Sequence, residues 1–324
     1  MKHSNIALAL AVTTALACQA TRVQAAETLA TSYAGSDATQ VKINCNNDGR
    51  ALKNALERKN WTAEKVRFVI SGQCYGPLLI DRNGVEIVND ARKTGSVRVN
   101  QPNADQAAIL VLSAAARLSN FNVDVPAGVA AVKARANATV AIDQLTTNAK
   151  SDADAPLGHV IATDSSSLFL SNLTGIDVLV IGASSADFEA NNNGVGVDVR
   201  DTSSAKSSAA NKFRSVLVTA NGYFLGDNKT RIDTLGIWGK ASVEVTRESS
   251  VGTLDMGGQT MFAAYKNSSV SGPYGIYGNV VFELEHSSAT GWYTVNNPHS
   301  LFIGNGATVN SVLYPEWSWV GQGL

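Results

Sequence analysis

The sequence is short of charge. Acidic and basic residues make up 16% of the 324 residues, against roughly 25% in an ordinary soluble protein. The 26 lysines and arginines nearly balance the 27 acids, leaving a net charge of −1. That balance supplies no field to attract nucleic acid or an anionic membrane. Seven prolines exclude a proline-rich linker protein. No apolar run approaches the ~20 residues needed to cross a bilayer as a helix, so no transmembrane segment is expected. Beyond the N-terminal quarter there are no 10–15-residue helical patterns between the apolar runs, which excludes an alternating βαβ chain. What is present is a 44% hydrophobic share, enough for a sizeable core and too high for disorder.

The first residues read as a targeting signal. Lys2 and His3 precede an uncharged stretch, Ile6 to Ala17, and Val23-Gln24-Ala25 places small residues where a signal peptidase cuts. Residues 1–25 are therefore expected to be a signal peptide, with 26–38 a polar lead-in and export to a secreted or periplasmic location. Two other readings stay open: a buried N-terminal helix, and a lipoprotein anchored at Cys18, although Ala15 occupies the position where such signals usually carry Leu. With Cys18 gone, Cys45 and Cys74 remain of the 3 cysteines. In an oxidising compartment they most simply form a disulfide; two free buried thiols are the alternative. No His lies between them to complete a zinc site.

Along residues 39–324, Val41-Lys42-Ile43 alternates like a strand, Asp48 is placed to cap a helix with Ala51, Leu52, Ala55 and Leu56 at helical spacing, and Val66 to Ile70 forms a second strand. Short apolar runs follow, separated by Gly, Asn, Ser and Asp: Val85 to Val88, Ile109 to Leu112, Val178 to Ile181, Val216 to Val218 and Val280 to Phe282. Small residues recur after such runs. Ser166, Ser185 and Ser204 are 19 apart, as are Ser249, Ser268, Ser287 and Gly306; Ala115 and Ala136 are 21 apart. The 45-residue gap from Ser204 to Ser249 leaves room for two longer coils. A period near 20 with strands and no helix predicts a solenoid whose rungs are single turns of chain, stacked to bury a shared core. A leucine-rich repeat is excluded by the absence of its signature. A β-sandwich would lack the fixed period.

Several segments carry a family resemblance. Lys42-Ile43-Asn44-Cys45, the helix near Gly49 to Lys59, and Phe68 to Cys74 resemble the N-terminal cap of exported right-handed parallel β-helix proteins, the pectate-lyase-like superfamily. Leu79 to Ile87 resembles their first rungs. The resemblance covers about residues 40–312. It implies an all-β, right-handed parallel β-helix, capped at about 39–75 and about 312–324. It says little about activity, because this fold hosts lyases, hydrolases, epimerases, adhesins and inert stalks.

The superfamily's catalytic motifs are largely missing. There is no Gly-His-Gly and no adjacent Asp pair. Where the resembling alginate epimerases carry Asp-Pro-His-Asp, this chain has Asn297-Pro298-His299-Ser300, a turn without the acids. The weak catalytic candidates are two clusters. Asp187, Glu189, Asp198, Arg200, Asp201 and Lys206 fall where the period loosens and are expected on a projecting loop. Its acids are the one candidate set for Ca²⁺; a solvated loop is the bland alternative. Glu283, Glu285 and His286 form the second cluster. With Phe282 and Leu284 inward, both glutamates share an outward face about 7 Å apart, compatible with acid/base work and with any exposed strand. His159 is isolated and reads as structural.

Aromatic placement points to a ligand. Ten of the 13 Trp and Tyr residues lie at or after Tyr223. Tyr265, Tyr277, Trp292 and Tyr293 are the candidate ligand-binding residues, since apolar sugar faces stack on exposed rings. Trp317 and Trp319 are expected to plug the end of the solenoid. Ile181 and Leu284 are expected to point into it. The functional expectation is an exported β-helix that binds a polysaccharide and, if an enzyme, acts as a lyase or glycoside hydrolase. The alternative is a non-catalytic structural or adhesive solenoid.

Overall fold

The computed structural model describes residues 38–58, 63–101, 105–148, 159–291, 293–296 and 300–319. The expected signal peptide, Cys18 and most of the lead-in lie outside them.

The chain is a parallel β-solenoid of about 12 turns. Its strands form a 16-stranded and a 15-stranded sheet, and the successive turns pair in parallel. Each turn crosses the first sheet once, rounds a corner and then crosses the second. In the second sheet the strand Arg231–Gly239 bends midway: Ile232 points in, Asp233 and Thr234 both lie outside, and Leu235 and Ile237 return to the core. Two turns later the bend separates the strands Ser269–Ser271 and Tyr274–Gly278. Alternation along each crossing sends every second residue inward, so the core is a file of Val, Ile, Leu and Phe from turn after turn. Phe188 meets Phe213 edge-on at 5.0 Å between ring centroids, and Phe213 meets Phe224 at 5.7 Å.

One helix, Ala51–Glu57, lies at the N-terminal end and buries Leu52, Ala55 and Leu56. Asp48 does not cap it by the expected bond. Its Oδ1 accepts from the Arg50 amide at 2.9 Å, tightening the turn before the helix. Cys45 and Cys74 form a disulfide, consistent with an oxidising compartment. No helix among the described residues is long and apolar enough to cross a membrane.

The serine repeat has a physical cause. A corner interrupts the strand ladder and leaves a buried amide that needs an acceptor. The Ser184 hydroxyl accepts from the Ser166 amide at 3.1 Å, and Ser203 serves Ser184 at 3.2 Å. At a different corner Ser249 serves Thr230 at 3.1 Å, and Ser287 serves Ser268 at 3.2 Å. Two serine files therefore exist. The expected steps Ser185–Ser204, Ser249–Ser268 and Ser268–Ser287 are in register, and one step at an end of each file is off by one residue. Ser166 stacks on Ser184, not Ser185, and Ser287 precedes the Ser288–Thr308 pair, which puts Ala307 rather than Gly306 in its file. Ala115 aligns with Thr139, not Ala136. The 45-residue gap holds no longer coils. Ser204, Tyr223, Ser242 and Met261 are in register at steps of 19, with Gly222, Ala241 and Thr260 replacing serine at the corner. Buried Asn192 and Asn211 continue the principle: the Asn211 Oδ1 accepts from the Asn192 amide at 3.0 Å.

Leu284 is buried as expected, but Ile181 is not in the core. The strand Asp177–Val180 turns Val178 and Val180 inward, so the alternate residues face out. Ile181 packs in a small external cluster with Ala107, Ala130, Ile161 and Leu179.

Candidate functional site

The second half of the second sheet carries an exposed ring pair. Ile237, Met256 and Ile276 stack inward, so their neighbours Trp238, Gly257 and Tyr277 form an outward file on three consecutive rungs. Trp238 and Tyr277 are 38% and 36% exposed. Their ring centroids are 6.5 Å apart and their planes 10° from parallel. Glycine makes this possible. A Cβ on Gly257, the rung between, would come within 2.5 Å of Trp238 Cζ3, so any other residue would displace the indole. Gly275 provides the floor beneath Tyr277: a Cβ there would sit 2.7 Å from Cε2 and 2.8 Å from the hydroxyl.

Asp255 stands in register with Gly236 and Gly275, immediately beside this file. The same Cβ position on Gly275 lies 2.8 Å from Asp255 Oδ1, so carboxylate and Tyr277 hydroxyl converge over one glycine. Asp255 Oδ1 is enclosed and makes no hydrogen bond among the described residues. Burial alone pushes its carboxyl above the ordinary range; no neighbouring charge contributes. The arrangement offers two flat apolar surfaces beside one unsatisfied carboxylate oxygen, with Gly236, Gly275, Leu217 and Asn296 among the positions in register around them.

The first sheet carries a second cluster, of tyrosines and acids. Glu244, Ala263 and Glu283 form one outward file. The glutamates are two rungs apart, about 9.6 Å along the axis, with the small Ala263 between. Tyr223 Oη lies 3.5 Å from Glu244 Oε2, and Tyr265 hydrogen-bonds Glu283. Burial is the main cause that raises the pKa of Glu244 and of Glu283; the tyrosine bonds oppose it, and Glu285 adds to the rise on Glu283. Burial, with the adjacent glutamates, holds both tyrosines protonated well above their ordinary range. Chemically, the cluster can accept hydrogen bonds, and Glu244 and Glu283 keep their protons to a higher pH than a free glutamate does.

The candidate residues divide between these places. Glu283, Glu285 and Tyr265 do come together on the first sheet. Tyr277 does not join them: the chain rounds a corner between Tyr265 and Tyr277, and the two face different ways from different sheets. Tyr293 lies on the strand Tyr293–Asn296, in the second sheet beside Tyr274–Gly278, so it too is on the other sheet from the glutamates. Trp292 lies outside the described residues, as do Asn297 to His299. His286 sits at a corner with φ 46°, its ring against Gly306 of the next rung rather than beside Glu283. Glu285 accepts a hydrogen bond from Asn305.

The charged cluster from Asp187 to Lys206 is not a projecting loop. Asp187, Glu189, Asp198 and Lys206 lie on three strands, Ser185–Ala190, Asn193–Val199 and Ser204–Ser207, and Arg200 and Asp201 follow at the corner after the second, because the chain continues to stack rung on rung there. Asp187 accepts from Ser208 at 2.8 Å. Asp198 is committed to Arg200, at 2.5 Å. Asp201 occupies a corner at φ 58° and accepts from the Gly182 amide. Their carboxylates do not converge on a Ca²⁺ position, and no group of three His, Cys, Asp or Glu side chains suited to a metal occurs among the described residues. His159 is structural: it is buried, and its Nδ1 accepts from the Asp177 amide at 3.1 Å. Trp317 is no interior plug: it is 49% exposed, and its segment pairs antiparallel with the strand Ser300–Gly304 at the end of the first sheet, while the side chain of Trp319 lies outside what is described.

Three features escaped the sequence reading. Trp238 was one aromatic among ten, and only the register over Gly257 pairs it with Tyr277. Asp255 and Glu244 carry no motif. The third is a cleft of about 570 Å³ in the N-terminal half, lined by amides and hydroxyls such as Asn120, Asn122, Gln144, Thr146 and Asn172, with one cation, Lys93. Part of that lining serves the fold, since Asn172 donates to Asp143 at 2.6 Å.

Comparison with protein-family models, with curated proteins and with solved structures returned no match for this chain.

Proposed function

We propose that this chain is an exported member of the pectate-lyase-like β-helix proteins that binds an extracellular or periplasmic polysaccharide along its C-terminal half. The observation that carries the reading is the Trp238–Tyr277 pair: two exposed, nearly parallel rings in one file, kept open by a glycine on the rung between. Exposed aromatics on a soluble surface forgo the free energy of burial. A repeating sugar chain lying along the solenoid axis would recover it by placing the apolar faces of its rings on the two platforms. A solenoid serving only as a stalk or scaffold has no use for a paired, glycine-floored platform, and on that ground glycan binding is preferred to the structural reading.

The test is a glycan array followed by calorimetric titration. Trp238→Ala and Tyr277→Ala should each weaken binding at least about tenfold, the equivalent of about 1.4 kcal/mol. Both substitutions lie on the surface, so the melting temperature should barely change. Wild-type protein that retains no glycan, or variants that bind as well as wild type, would defeat the reading and leave the structural solenoid.

A further inference from the structure

We infer that the Trp238–Tyr277–Asp255 platform selects an amine-bearing, cationic glycan over a neutral or acidic one. The inference rests on the glycan-binding reading and adds the charge class of the ligand.

The unsatisfied carboxylate is the starting point. An enclosed carboxylate oxygen without a donor costs free energy in the free protein. Asp255 Oδ1 is such an atom, and the outward positions in register on either side are glycines, Gly236 and Gly275, which bring neither a donor nor a countercharge. No lysine or arginine perturbs the carboxyl. The cations of the adjacent rung are committed or displaced: Arg231 pairs with Asp233, and Lys240 sits at the corner beyond Gly239.

The rings add a second preference of the same sign. The faces of Trp and Tyr carry negative electrostatic potential and attract an ammonium within about 6 Å of the ring centroid. Trp238 and Tyr277 sit one rung to either side of Gly257, and Asp255 is on that middle rung, two residues earlier. An ammonium against the exposed outer surface of the ring pair would thus meet aromatic π-surface and lie beside the Asp255 carboxylate, which approaches the Tyr277 hydroxyl over Gly275. A sugar carrying an amine as a ring substituent can stack its apolar face while presenting that group. A uronic acid would bring a second carboxylate against the first, with no cation to bridge them.

The test compares three probes on full-length mature protein by calorimetric titration, at a pH where the amine is charged: a β-1,4-linked glucosamine hexamer, its fully N-acetylated counterpart, and cellohexaose. The glucosamine hexamer should bind about tenfold tighter than either neutral probe. Asp255→Asn, which keeps the shape, should abolish that preference, so that charged and neutral hexamers bind alike, and added salt should erode the preference in wild type. Equal binding of charged and neutral hexamers, or a preference that survives in Asp255→Asn, overturns the inference. If neutral hexamers bind and Trp238→Ala removes the binding, the glycan reading stands and the charge selectivity falls. If no probe binds and the array is also blank, both fall.

Discussion

Replacing Phe213 with alanine measures whether the stacked core holds the solenoid together. Phe213 is fully buried, on a strand of the second sheet, and its ring meets Phe188 and Phe224 edge-on at 5.0 and 5.7 Å. Those two residues come from different rungs of the first sheet, so the ring ties two turns across the interior. Truncating a buried Phe costs about 3–5 kcal/mol in transfer and cavity terms. Losing two favourable aromatic contacts places this site toward the upper end, at about 4–5 kcal/mol. For a cooperative unit of 150–250 residues each kcal/mol shifts the melting temperature by about 2–4 °C, which predicts a fall of about 8–20 °C. Thermal unfolding followed by far-UV circular dichroism reads it, with the exposed Val312→Ala as a surface control. A double-mutant cycle with Phe188→Ala should show a coupling of about 0.5–1.5 kcal/mol. A shift below ~4 °C, or a coupling indistinguishable from zero, would refute the account of the core.

Other perturbations separate inside from outside and fold from site. Leu284→Asp buries an unpaired carboxylate and should abolish cooperative melting; Ile181→Asp, in the external cluster, should cost far less, and equal damage from both would contradict the register. Reduction of the Cys45–Cys74 bridge, 29 residues apart, should destabilise the N-terminal end by about 3–4 kcal/mol in the chain-entropy model, detectable as faster proteolysis near the cap; identical cleavage rates with and without reductant would count against it. Glu244 and Glu283 have folded-state pKa values raised above the unfolded value near 4.5. Their contribution to stability is therefore fully present below that value and is lost as pH rises through the folded pKa. Glu244→Gln and Glu283→Gln should raise the melting temperature at pH 7, with the gain shrinking toward pH 4; a gain that grows on acidification would reverse the assigned sign.

The sequence by itself determined the architecture. Short apolar runs at a period near 19, with small polar residues at intervals and no helical spacing, admit little else, because one rung cannot bury its own inward face and must stack. The N-terminal helix and the Cys45–Cys74 pairing were also legible, since both depend on local spacing and compartment. The phase of the repeat was not. A serine that accepts from a buried amide and the serine beside it on the strand look alike in a string of letters, and so Ser166 was set against Ser185 rather than Ser184. Rungs whose corners carry Gly222, Ala241 or Thr260 looked like a gap, because the corner needs a small residue and not serine in particular. An error of one residue turns a side chain from core to solvent, as at Ile181.

The site depended on tertiary structure for the same reason. Tyr265 and Tyr277 are close in sequence yet stand on different sheets, whereas Trp238 and Tyr277, far apart in sequence, share a file. Only the rung register brings Gly257 between two rings and Asp255 beside them. A residue's face in a solenoid is set by where each turn bends, and those bends answer to the packing of neighbouring turns rather than to any local run of residues.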